Sequence, residues 1–307
     1  MLRRSFIFSA AATLVAATIP IMAPAKEKKT VTIAKGQYAS VNGIDLYYER
    51  HGDRHETDAP LILLHGGLGT IDAIFERLLP ALVAQRDVVA VELQGHGHTA
   101  DNGRPMTYEA MADDIAALIA ALGLGRADVA GYSVGGGVTL QLGLRHPASV
   151  RKLVVISAPY ATTGWFPEVF AGTAAMDPEA MKGAKWHEAY LKAAPKPGDW
   201  PLLVRNVSRL MGSRYDWGDA IAKDMKAPVL TVVGDADSVE LPHALSLYAL
   251  TGGGKGDGFA MGRSASQLLV VPHANHLEIL DRPALAPAIL DYLARGEDAI
   301  PPFTAET

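Results

Sequence analysis

Not one of the 307 residues is a cysteine. That absence removes disulfides, thiolate zinc sites, iron–sulfur clusters and a cysteine nucleophile together. Charge is sparse as well: charged residues make up 20% of the chain, the formal net charge is -5, and no long basic run occurs. The footprint of a nucleic-acid binder is missing, so no nucleic-acid partner is expected. Long apolar runs are absent except near the N-terminus, and only that segment could enter a membrane. What the chain does have is 49% hydrophobic residues. Disorder of the whole, which requires low hydrophobicity, is excluded. A chain of this length buries roughly three-quarters of its unfolded surface and needs no covalent staples.

The N-terminal segment, Met1 to Ala25, has three parts. Arg3 and Arg4 give a positive start, Phe6 to Ala23 is almost wholly apolar or small, and Ala23-Pro24-Ala25 forms an A-x-A cleavage pattern before Lys26-Glu27-Lys28-Lys29. This is the pattern of an export signal. Arg3-Arg4 followed by Ser5-Phe6-Ile7 resembles the twin-arginine variant, while the apolar stretch also suits the general secretion route. An uncleaved anchor is the competing expectation, and Pro20 with its small neighbours disfavours a spanning helix. The expected product is periplasmic or extracellular, with no membrane contact after cleavage.

Beyond it, short apolar β-rich runs alternate with helical patterns, the mark of an α/β protein with a mostly parallel central sheet and helices on both faces. Val31–Val41 and Ile44–Glu49 read as strands joined by the Asn42-Gly43 turn. Further strands are expected at Leu61–Leu64, Val88–Leu93, Ala127–Tyr132, Leu153–Ser157, Val229–Val233 and Leu268–Val271. Helices are expected at Ala73–Ala84, Thr107–Leu122, Val134–His146, Leu241–Leu250 and Ala284–Ala294. Met111, Ile115, Leu118, Ile119 and Leu122 repeat at helical spacing, and Thr107 suits the N-cap. From Pro159 to about Lys226 the alternation stops, no strand-like run occurs, and all four tryptophans (Trp165, Trp186, Trp200, Trp217) fall there. This stretch reads as a helical insertion. Gly252 to Ser266 reads as an exposed loop. The expected division is 1–25 for the signal, 26–158 and 227–307 for the core, and 159–226 for the insertion.

The strongest chemical signal is Gly131-Tyr132-Ser133-Val134-Gly135, a G-x-S-x-G match between an expected strand and an expected helix. A serine there sits on a tight turn at the carboxyl end of the sheet, and glycines on both sides let backbones approach. The Val134 N–H, at a helix N-terminus, can face a developing oxyanion. A serine nucleophile needs a base, and the base an orienting acid. Of ten histidines, His276 and His273 follow the final strand, and His276 is the expected base with His273 the rival. Asp235 and Asp237 follow Val233. Asp237 is the expected acid, and Asp235 reads as a turn or capping residue. No carboxylate follows the strand ending at Ser157. His96-x-His98 does not complete a metal motif, because H-x-H-x-D needs an aspartate where Ala100 stands. No metal or organic cofactor is implied.

The order Ser133, Asp237, His276 over about 265 residues resembles the α/β-hydrolase superfamily. The resemblance implies that His65-Gly66-Gly67 is the oxyanion loop, with the Gly67 N–H as second donor, and that Pro159–Lys226 is a helical cap. Glu92-Leu93-Gln94-Gly95-His96-Gly97-His98-Thr99 is similar to the family's D-x-R-G-x-G-x-S loop, with Glu92, Gln94 and Thr99 in place of Asp, Arg and Ser. His65 is expected to hold the oxyanion loop through its side chain. Trp165 and Phe166 are candidates for a substrate pocket or for the cap's own core.

Ser133 argues against the dehalogenases and epoxide hydrolases of this fold, which carry an aspartate at the elbow. The expected activity is hydrolysis of a carboxylic ester or lactone, with a small-molecule substrate and an acyl-enzyme on Ser133. Carbon–carbon bond hydrolases, cofactor-free haloperoxidases or perhydrolases, and proline iminopeptidases remain alternatives. The last share His65-Gly66-Gly67-x-Gly69, but Leu68 replaces their proline. A non-catalytic binding protein of the same fold is a further one.

Overall fold

The computed structural model describes residues 36–52 and 59–301. The expected export signal and the start of the first expected strand lie outside the described residues. Eight strands form one sheet: β1 (Gln37–Val41), β2 (Ile44–His51), β3 (Leu61–Leu64), β4 (Val88–Val91), β5 (Ala127–Tyr132), β6 (Val150–Ile156), β7 (Val229–Ala236) and β8 (Gln267–Asn275). Their spatial order is β1-β2-β4-β3-β5-β6-β7-β8. β1 and β2 pair antiparallel, as do β2 and β4, and every other pair is parallel. The opening hairpin turns at Asn42 (φ 47°) and Gly43 (φ 77°), both left-handed, as a two-residue turn between twisted strands requires.

Along β3 the side chains alternate between two cores. Ile62 and Leu64 join Met111, Ile115, Val138 and Leu142 from helices α3 (Tyr108–Ala121) and α4 (Val134–Arg145). Leu61 and Leu63 join Phe75, Leu82, Ile289 and Tyr292 on the opposite face. Both faces of the sheet are thereby covered, which is why its inner strands read as unbroken apolar runs. Thr107 caps α3: its hydroxyl accepts from the Ala110 N–H at 3.1 Å.

The single helix expected over 73–84 is two helices, α1 (Ile71–Phe75) and α2 (Leu78–Val83). The cause is Pro80, which lacks an N–H and whose ring would clash with the carbonyl of Glu76 in a continuous helix. β8 runs past Pro272, which the sequence had placed beyond the strand. It is an edge strand paired only with β7, and an edge tolerates proline.

Between β6 and β7 the chain forms α5 (Pro167–Ala174), α6 (Lys185–Ala193), α7 (Trp200–Gly212) and α8 (Gly218–Asp224). α7 buries Leu203, Val204, Val207, Leu210 and Met211, one apolar stripe at helical spacing. Trp200 is buried within this insertion, and its indole N–H donates to the Pro178 carbonyl. The remaining helices are α9 (Leu241–Leu250) and α10 (Leu285–Ala294). Among the described residues no helix is long and apolar enough to cross a membrane.

Candidate active site

Ser133 stands between β5 and α4 with φ 54° and ψ -117°, a conformation that L-residues avoid. The surroundings hold it there. Its N–H donates to the Ile156 carbonyl at 2.9 Å, and its own carbonyl accepts from Gly136 and Gly137. The two flanking glycines are obligatory. A Cβ on Gly131 would fall 2.1 Å from the Gly135 carbonyl oxygen, and one on Gly135 would fall 2.4 Å from that of Leu64. Such strain, overdetermined by neighbours, clusters at functional sites. Ser133 is 7% exposed.

The His276 Nε2 lies 3.1 Å from Ser133 Oγ, and its Nδ1 lies 2.9 Å from Asp237 Oδ1. His273 does not reach the serine. It is exposed in β8 with φ 53°, and its N–H donates to Asp235 Oδ2 at 2.9 Å. Asp235 also accepts from the Ala274 N–H, so it ties down the strand that leads to His276. The Asp237 side chain is fully buried. Burial pushes its carboxyl up, but hydrogen bonds from His276, Ser157 and the Gly234 N–H outweigh that and hold it below the usual carboxylate range.

Three neighbours surround this line, and of them only Trp165 was a candidate in the sequence. Ser157 Oγ donates to Asp237 Oδ2 at 2.5 Å. The Tyr132 hydroxyl donates to the His276 carbonyl at 2.7 Å, fixing the backbone that carries the imidazole. Trp165 sits edge-on to the imidazole, ring centroids 5.6 Å apart. The one signal available for Ser157 was its position at a strand end between the two carrying Ser133 and Asp237.

The His65-Gly66-Gly67 loop lies against the elbow. The Gly135 N–H donates to the His65 carbonyl at 3.1 Å, and a Cβ on Gly66 would fall 3.2 Å from that of Ser133. The His65 side chain bonds inward: Nε2 accepts from the Leu93 N–H at 3.1 Å, so Nδ1 carries the proton and donates to the Gly66 carbonyl at 2.7 Å. Burial, then the neighbouring His96, push the His65 imidazole down to about 3, so it is neutral. Val207 and Met211 of α7 roof Gly67. A Cβ on this glycine would fall 2.9 Å from Val207 Cγ1 and 3.2 Å from Val134 Cγ2.

In the following loop, Glu92 bonds the Ile71 N–H at the start of α1 and the backbone and imidazole of His98. His96 instead turns its Nδ1 to the Gln94 carbonyl, so the two histidines do not converge. Gln94 accepts from Arg104 Nε–H at 3.0 Å, and Arg104 pairs with the buried Asp114. The two pocket candidates separate. Trp165 is 5% exposed beside His276, whereas Phe166 is 39% exposed. Phe166 lines a surface hollow with Glu168, Val169 and residues 234–239, a hollow that neither Ser133 nor His276 lines.

Residues 59–197 match the family model described as the alpha/beta hydrolase fold. A protein of Caulobacter sp. (strain K31) named as a carbamate hydrolase, RutD, is 35% identical over 179 residues, which are 57% of this chain and 63% of the relative. The match thus spans less than two thirds of that relative's length. A meta-cleavage product hydrolase from Pseudomonas fluorescens superposes with a TM-score of 0.66 at 20% identity, covering 85% of this chain and 97% of the other. A Bacillus subtilis carboxylesterase superposes with a TM-score of 0.63 at 23% identity, covering 85% and 92%. At these identities the structural likeness is one of fold. Strand order, elbow and family match agree that the chain has the alpha/beta hydrolase fold.

Proposed function

We propose that the protein is a serine hydrolase that cleaves a carboxylic ester or lactone through an acyl-enzyme. The observation that carries this reading is the continuous line from Ser133 Oγ through His276 to Asp237, with contacts of 3.1 and 2.9 Å. A base must lie within hydrogen-bond reach of the proton it takes, and His276 does. Ser133 attacks the carbonyl carbon as its proton passes to His276 Nε2. Asp237 accepts from Nδ1–H, fixes the tautomer and balances the imidazolium. The Val134 N–H has no intrahelical partner in the first turn of α4 and faces the oxyanion together with the Gly67 N–H. Each such donor contributes about 10²–10³-fold to turnover. The proton then goes to the leaving alcohol, and water activated by His276 releases the acid.

A second reading is hydrolysis of a carbamate or a carbon–carbon bond on the same residues, and the name of the Caulobacter relative favours the carbamate. A panel of p-nitrophenyl esters, lactones, aryl carbamates and vinylogous diketones, assayed on purified protein, separates the two. Ester or lactone turnover abolished in Ser133→Ala supports the first, and turnover of carbamates or diketones alone replaces it with the second. A chain that a fluorophosphonate fails to label at Ser133 is not a serine hydrolase. The sequence pattern of residues 1–25 further supports export, and cell fractionation with N-terminal sequencing of the product checks it.

A further inference from the structure

Given the serine-hydrolase function proposed above, on which this inference rests, we propose that Ser157 is a positioning residue for Asp237, so that β6 links the acid to the nucleophile. β6 contributes neither the nucleophile, the base nor the acid of the Ser133–His276–Asp237 line. In the sheet it lies between β5, which delivers Ser133, and β7, which delivers Asp237. Its last turn of chain touches both. The Ile156 carbonyl accepts the Ser133 N–H at 2.9 Å, and the next residue, Ser157, donates its hydroxyl to Asp237 Oδ2 at 2.5 Å.

Ser157 is 0% exposed, has φ 51°, and donates its N–H to the Val232 carbonyl at 2.9 Å. The left-handed φ is a strained state for a non-glycine residue. Asp237 is anchored at both oxygens. Oδ2 accepts from Ser157 Oγ–H and the Gly234 N–H (3.0 Å), and Oδ1 accepts from the Val239 N–H (3.3 Å) and faces His276 Nδ1. The Ser157 hydroxyl is the shortest of these contacts and the only hydroxyl donor among them. It holds the carboxylate plane so that Oδ1 meets the imidazole, and it draws charge away from the oxygen facing His276.

The test uses the full-length protein and two variants that separate hydroxyl from strain. Ser157→Ala removes the hydroxyl and keeps the strained backbone, and Ser157→Gly removes the hydroxyl and relieves the backbone. A hydrogen bond to a charged group corresponds to about tenfold to a hundredfold in rate. Both variants should lose that factor in kcat and in fluorophosphonate labelling rate, with KM within about twofold of wild type. The acid limb of the kcat/KM profile should move to higher pH, because a carboxylate with one donor fewer favours the imidazolium. Ser157→Gly guards against a folding defect, since it should melt no lower than Ser157→Ala. Equal labelling, kcat and pH limb in wild type and both variants overturn the assignment while leaving the serine-hydrolase reading intact. A loss confined to Ser157→Ala and absent in Ser157→Gly overturns it too, by assigning the effect to the backbone. A wild-type protein that does not label at Ser133 overturns both.

Discussion

Replacing Asp237 by asparagine changes one atom and sets the buried acid against its own donors. The carboxylate receives two donors at each oxygen. An amide offers one accepting oxygen, and its NH2 must face one of the two pairs. Turned toward Ser157 and Gly234, it meets a hydroxyl that can rotate and accept, and a backbone N–H that cannot. Turned toward His276 and Val239, it orphans the Val239 N–H, and it can be satisfied by the imidazole only as the tautomer protonated at Nε2. That tautomer cannot take the Ser133 proton. Each arrangement leaves one buried backbone donor unmet, at about 1–3 kcal/mol, and removes the charge that balances the imidazolium. The melting temperature should fall by roughly 2–4 °C per kcal/mol. Turnover of p-nitrophenyl acetate should fall on the order of 10⁴-fold, as for this substitution in another serine triad. The folded-state carboxyl is held low, so its stabilisation is present above the ordinary carboxylate range and disappears as pH falls through the folded-state value. The melting gap between wild type and variant should therefore be wide at pH 7 and close under acid. A folded Asp237→Asn protein that keeps more than about a tenth of wild-type kcat/KM would show that Asp237 does not orient His276.

Ser133→Ala should lose on the order of a millionfold in kcat and keep the fold, while Ser133→Gly, which relieves φ 54°, should melt above the alanine variant; far-ultraviolet dichroism and thermal scans read both. His65 and His96 are held neutral by burial, down to about 3 and about 4, whereas the unfolded chain protonates them near pH 6.5. Stability should be full above that pH and decline toward pH 4, by up to about 1.4 kcal/mol per unit for each histidine. Urea midpoints at pH 7.5 and 5 should converge in His65→Gln relative to wild type, and parallel shifts would refute the assignment. Trp165→Ala, which empties a buried site beside His276, should cost about 3–5 kcal/mol and lower kcat on every ester. Phe166→Ala should stay within about 0.5 kcal/mol of wild type and leave the ranking of esters by acyl size unchanged in a comparative kcat/KM assay.

Much of the molecule is decided by residues close together in the chain. The strand at Ala127–Tyr132 and the helix at Leu241–Leu250 have the limits expected from their apolar runs and their flanking residues. Thr107 caps its helix through a bond three residues away, and the elbow glycines act on neighbours within a few positions or on the adjoining strand. Even the broken helix at Glu76 had its cause in view, in Pro80. Periodicity, caps and φ preferences depend on nearest neighbours, so the sequence alone determines them. The donor from Ser157, the reach of Arg104 to Asp114, and the parting of Trp165 from Phe166 were decided elsewhere. Residues 133, 157, 237 and 276 meet because β5, β6, β7 and β8 lie side by side, and the tyrosine and tryptophan against His276 come from β5 and the start of the cap. Strand order and side-chain direction at the sheet's edge follow from closing the whole core. No local pattern encodes them, and only the tertiary structure brings those groups within hydrogen-bond range.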